Sequence, residues 1–320
     1  GASRKKKPTK DLYVPLHKDG EESILIDVTE WLMAFSSSAL SVSDFLQPFR
    51  SGGPKEGIAH LMETCAFPEN FWLRFSARSS RESTFKAGSS NTVYYTVAFC
   101  RLPEELMVPR AKDRRVGYFE TKTTIGGSER VNETINVINR WNLKRFGHVT
   151  YYIDPQVPTL FHETIRRGVE SWNIAFAAAG CGDGVLRCLS PSDPAFPKDY
   201  CRGDARYNAI YMTDSTLPVY GFGPSLTDFR TGEILVSHVL LGFSAFAQGA
   251  SRHSVEALSE RYVRPTCGCR APLLDASHPD VLKTVLSVTV HEVGHTLGLR
   301  HNFIAQEDGN TSAMAYVDEL

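Results

Sequence analysis

The chain has 320 residues, 35 Lys and Arg against 36 Asp and Glu, and 42% hydrophobic residues. A net charge of −1 gives no electrostatic reason to expect nucleic acid or an anionic membrane as partner. At this length the apolar content supports a folded protein of one large or two ordinary domains, and no stretch reaches the roughly 18 apolar residues of a membrane span.

Residues 1–10 carry the run Arg4-Lys5-Lys6-Lys7 beside Pro8 and are expected to form a disordered basic head. The chain opens on Gly-Ala-Ser, not Met, so a processed start is expected and a signal peptide would lie out of sight. From 11 to 110 the pattern predicts a mainly β domain. Residues 23–28, 70–78 and 91–99 read as strands rich in β-branched and aromatic residues, with a Ser/Gly-rich hairpin loop at 86–90. Short helices are predicted at 29–35 and 56–64. Residues 111–147 read as a connector with charged ends, whose arginines either clamp acidic groups of the neighbouring domain or lie solvated on the surface.

The third region, 148–320, opens with a strand at 149–153. Phe161, Ile165, Val169, Trp172 and Phe176 recur at helical spacing, which predicts one long helix from about Thr159 to a stop at Gly180. Strands are expected near 184–189 and 208–212. Residues 218–227 and 233–241 read as a hairpin around Asp228–Gly232. From Val281 to Val290 the chain is apolar enough for a helix buried on most sides, with Ser277 as a cap and Pro279 and Asp280 in the first turn.

That helix runs into His291-Glu292-Val293-Gly294-His295-Thr296-Leu297-Gly298-Leu299-Arg300-His301. Positions 291 and 295 are one turn apart, so both imidazoles leave the same face and can hold one metal ion. Glu292 lies at the edge of that face, within reach of a metal-bound water. Gly298 lets the chain leave the helix and bring His301 round as a third ligand, leaving a fourth position open. A buried helix does not carry two unpaired imidazoles cheaply, whereas coordination satisfies them.

The run His291-Glu292-x-x-His295-x-x-Gly298-x-x-His301 resembles the signature of the metzincin class of zinc metallopeptidases, and Thr311–Tyr316 resembles its methionine turn. The chain is most similar to a large, poorly characterised family of bacterial zinc-dependent metalloproteases. Residues 114–119, 138–141, 152–154, 172–180, 206–208, 223–234 and 291–303 carry that likeness. The resemblance implies an α+β fold: a metzincin-like domain over 148–320, with a twisted, mostly parallel sheet and two long helices, the second carrying the zinc motif. A mainly β N-terminal domain precedes it.

The activity so implied is a zinc-dependent endopeptidase with one catalytic Zn2+ on His291, His295 and His301, acting on polypeptide substrates. Three neutral imidazoles leave the ion nearly all its charge and so acidify its water, whose proton Glu292 takes as general base and passes to the leaving amine. Met314 would form an apolar floor under the ion. Tyr316 either approaches the metal to stabilise the transition state or packs beneath the site. The strand region Pro218 to Leu241 would grip extended substrate by strand addition. A secreted or periplasmic location follows from the same likeness.

Two departures stand out: Ala315 occupies a position where the family has an acidic residue, and the chain stops four residues after Tyr316, so a truncated lower subdomain is expected. The alternatives are a catalytically silent module that keeps the fold for binding, and a metal hydrolase acting on a non-peptide amide. The seven cysteines, an odd number, are expected to be structural or free thiols first and disulfides second, with a second metal site at Cys267-Gly268-Cys269 last.

Overall fold

The computed structural model describes residues 13–18, 21–26, 54–79, 92–113, 115, 117–127, 131–213, 221–242, 279–302 and 312–315. The chain divides into two compact units, 1–99 and 100–320. The segment expected as a connector, 111–147, is therefore part of the second unit.

In the first unit, β1 (Tyr13–Lys18) and β2 (Glu21–Ile26) pair antiparallel. The strands β3 (Pro54–Ala66), β4 (Asn70–Ser79) and β5 (Thr92–Cys100) form a second sheet in that order. The helix predicted at 56–64 is instead strand, within β3. The turn that follows explains why: the Phe67 N–H donates to the Asn70 carbonyl at 2.7 Å, reversing the chain so that Cys65 faces Trp72 and Thr64 faces Leu73. Helix propensity is a weak prior, and pairing along a hairpin overrides it. The predicted helix at 29–35 and the loop at 86–90 lie outside the described residues.

The second unit opens with the antiparallel hairpin β6 (Glu120–Gly127) and β7 (Val131–Ile138), followed by a single helical turn, α1 (Leu143–Phe146). A five-stranded sheet then assembles from β8 (Val149–Ile153), β9 (Leu186–Leu189), β10 (Asn208–Thr213), β11 (Gly221–Phe222) and β14 (Val239–Gly242), in the order β11-β14-β10-β8-β9. Its strands run parallel except β11, which lies antiparallel to β14 at the edge. Parallel strands are joined by crossovers that cover the sheet, and here Val149, Tyr151, Ile153, Ile210, Val239 and Leu241 are buried.

The crossover from β8 carries α2 (His162–Glu170) and α3 (Asn173–Ala178), preceded by a 3₁₀ turn at Thr159–Phe161. The one long helix predicted here is thus split. At the break two side chains bind other elements. Asn173 turns its side-chain amide onto β9, donating to the Leu186 carbonyl at 2.9 Å and accepting from the Leu186 N–H at 2.8 Å. Next to it, the Trp172 indole N–H donates to the Val290 carbonyl at 2.9 Å. The apolar spacing still holds across the break, with Phe161, Ile165 and Val169 buried and Trp172 and Phe176 packed against the same core.

The long helix α4 (Pro279–Thr296) crosses α2 closely: a Cβ on Gly168 would sit 2.7 Å from Thr289 Cγ2. Its buried Val281, Val285, Val288 and Val293 seat it on the core, as the apolar run predicts. The hairpin predicted over 218–241 is shorter and divided. Only β12 (Ser225–Asp228) and β13 (Glu233–Ser237) pair with each other, while β11 and β14 leave for the main sheet. Among the described residues no helix is long and apolar enough to cross a membrane.

Candidate metal centre

The last turn of α4 puts His291 and His295 on one face, and the chain then turns at Gly298 with φ of +97°. That conformation suits glycine, and a Cβ there would also collide with the Asn139 carbonyl. The turn returns His301 to the same point, with its Nε2 lying 3.1 Å from the Nε2 of His291 and 3.1 Å from that of His295.

Each of the first two rings has its tautomer fixed by a carbonyl. His291 Nδ1 lies 2.9 Å from the Ala313 oxygen and His295 Nδ1 lies 2.8 Å from the Leu299 oxygen. A carbonyl only accepts, so both Nδ1 atoms carry the proton and both Nε2 atoms are bare. A cation among the three nitrogens would satisfy the lone pairs of His291 and His295 at once. Nitrogens at ~2.0–2.1 Å from a tetrahedral zinc lie about 3.3 Å apart, close to the spacing seen, so the donor set fits the ion. All three ligand atoms lie within 4.8 Å of one another.

Burial keeps these rings neutral. It pushes His295 down to about 4 and lowers His291 and His301 from their usual value, with Arg300 adding to the effect on His301. Metal ligation requires that neutral form.

Glu292 is buried beside the triad, where burial raises its carboxyl to about 8 against an opposing hydrogen bond from the Gly223 N–H. Two glycines make room for it. A Cβ on Gly221 would lie 2.5 Å from Glu292 Cγ, and one on Gly223 would strike the Glu292 carbonyl. Of the strand region Pro218 to Leu241, residues 218–220 lie outside the described part. Residues 221–223 pass directly over Glu292 as the sheet edge.

Met314 is buried and packs where Gly294 lacks a side chain; a Cβ there would overlap its sulfur and lie 2.8 Å from the Trp172 ring. The turn at 312–315 is closed by Ala315 N–H to the Ser312 carbonyl at 2.9 Å and tied to the metal loop by Asn302 N–H to the Met314 carbonyl at 2.9 Å. Tyr316, Cys267 and Cys269 lie outside the described residues. Among the described residues Cys65, Cys100, Cys181 and Cys188 are free thiols, and burial pushes Cys188 well up.

Of the charged ends predicted at 111–147, Arg145 reaches buried Glu233 at 3.4 Å, while Arg115 pairs locally with Asp113 at 2.6 Å. The sequence did not single out residues 117–141 as part of the candidate centre. Tyr118 bridges Leu299, and the Trp141 indole N–H donates to the Thr296 carbonyl at 2.9 Å, at the C-terminal end of α4. The available signal was that 114–119 and 138–141 both belong to the segments carrying the family likeness.

Comparison with known proteins agrees at the same place. Residues 279–315 match the model of a family described as Met-zincin, and residues 14–145 match a domain of unknown function (DUF5117). No curated protein and no solved structure matches the chain. The Met-zincin match spans the three converging histidines and Met314, so motif and geometry point to one zinc-metallopeptidase-like function.

Proposed function

We propose that the chain is a zinc-dependent endopeptidase that hydrolyses peptide bonds with Glu292 as general base. One observation carries the reading: three imidazoles with converging ring nitrogens stand next to a buried carboxyl group that is not among them. His291, His295 and His301 hold the ion through Nε2. When bound there, zinc would supply Lewis-acid polarisation of the scissile carbonyl and acidify a water.

The chain's own groups do the rest. A carboxylate oxygen of Glu292 takes the proton of the attacking water and delivers it to the nitrogen of the departing amine. The Gly223 N–H holds that carboxylate in place. Met314 is a floor and not a ligand, and Tyr316 is assigned to the transition state. The antiparallel edge β11, inside Pro218 to Leu241, is the site where an extended peptide adds as a strand.

The test is Glu292→Gln, which keeps shape and removes the proton acceptor. It is expected to retain zinc and lose about 10²–10⁴-fold in turnover on an unfolded protein substrate. Loss of zinc would make Glu292 a ligand, and unchanged turnover would remove it from the chemistry.

A further inference from the structure

The five residues that join the second ligand to the third are gripped from outside their own motif. On one side the loop folds on α4, with Gly298 N–H to the His295 carbonyl at 2.9 Å and Leu299 N–H to the Gly294 carbonyl at 3.1 Å. On the other side it is paired like a strand with residues 117–119. The Phe119 N–H donates to the Gly298 carbonyl at 2.8 Å and the Arg300 N–H to the Gly117 carbonyl at 3.0 Å, with Tyr118 opposite Leu299. The Phe119 carbonyl in turn accepts from the Asn139 N–H at 2.8 Å, and Thr121 Oγ1 donates to Asn139 Oδ1 at 2.7 Å. The grip therefore reaches back into the β6–β7 hairpin.

Leu299 sits between those two outer hydrogen bonds, and its carbonyl is the one that accepts from His295 Nδ1. The Phe119 ring also packs on the His295 ring, with centroids 5.6 Å apart and planes tilted by 56°. Groups that orient a ligating imidazole through its far nitrogen tune the ion it holds.

Resting on the metal-site reading above, we infer that residues 117–119 are a positioning strand of the metal centre, clamping Leu299 so that its carbonyl aims His295 at the ion. This gives the C-terminal part of the DUF5117 match a role, although every ligand lies more than 170 residues further along the chain. The coupling is reciprocal: if the strand favours zinc, zinc must favour the docked strand.

The test is amide hydrogen exchange on the whole chain, with a chelator and then with zinc at about a hundredfold excess over its dissociation constant. Exchange at Phe119, Asn139 and Arg300 is expected to slow by roughly tenfold or more on adding zinc. Zinc protection confined to 291–301, with Phe119 and Asn139 unchanged, overturns the inference. A chain that binds no zinc at all, read by direct titration, would remove the metal reading and this inference with it.

A second measurement addresses the ring. Phe119→Ala is expected to weaken zinc by about tenfold, read by chelator competition well below the unfolding transition, with Phe119→Tyr restoring it. An affinity within twofold of the unaltered chain in Phe119→Ala would take the ring out of the positioning role.

Discussion

Two places in the second unit enclose histidine, and they treat it in opposite ways. At the end of α4, His291 and His295 each give one ring nitrogen to a carbonyl and turn the other toward a shared point with His301. At the crossover from β13 to β14, His238 is held by its backbone N–H to the Pro224 carbonyl at 3.1 Å. Its ring stands edge-on to Tyr211 at 5.4 Å, while its Nε2 is buried with no hydrogen-bond partner among the described residues. Burial alone holds that ring down at about 4. The difference teaches what a buried imidazole signifies. Convergence with fixed tautomers describes a cation site, whereas solitary burial describes a neutral spacer that stability must carry.

The largest effect that would break this comparison is at the ligands. His291→Ala is expected to weaken zinc more than a hundredfold, beyond the roughly 10–100-fold typical of supporting residues, while His238→Leu leaves zinc affinity unchanged. Zinc titration of both variants checks it, and equal losses would erase the distinction.

A smaller effect sharpens the other side. His238 titrates near 6.5 when unfolded and near 4 when folded, so between those values the unfolded chain binds the extra proton. Stability therefore falls as pH drops through that window, by roughly 3 kcal/mol in full from this group. Denaturant unfolding of zinc-free protein at pH 7 and pH 5 should show a steeper loss in the unaltered chain than in His238→Leu. The slope left in the variant includes that of the three ligand histidines, whose values are also lowered by burial.

The smallest effect concerns the floor. Gly294→Ala drives a methyl group into Met314 and Trp172. Overpacking of this kind costs about 1–2 kcal/mol. Because the Ala313 carbonyl beside Met314 orients His291, zinc should also weaken by a few-fold. A variant that loses stability with no change in zinc affinity would uncouple floor from ligand.

The site was more legible in the sequence than the scaffold around it. A metal face on a helix is written in fixed spacing, and Gly298 announces the exit, because ligands and turn all lie within eleven residues. Strands were also expected at 149–153 and near 184–189 and 208–212, and the structure has them at 149–153, 186–189 and 208–213. What was hidden depends on partners far along the chain. Residues 56–64 look helical until Leu73, Arg74 and Phe75 pair with them, and Asn173 looks like an ordinary helix residue until Leu186 takes its amide. Gly221 and Gly223 fell within a predicted strand, 218–227, and only the approach of Glu292 shows why side chains are excluded there.

The pairing of 117–119 with 298–300 also sets an order in time. Phe119 leaves the ribosome 179 residues ahead of Gly298, the carbonyl it must meet. At about 5–20 residues per second that is roughly 10–35 s of synthesis, during which the strand edge waits without its partner. Contacts of such long sequence separation form late because the intervening chain must be ordered before they close. Residues 298–300 thus cannot take up this pairing until the intervening chain has been made.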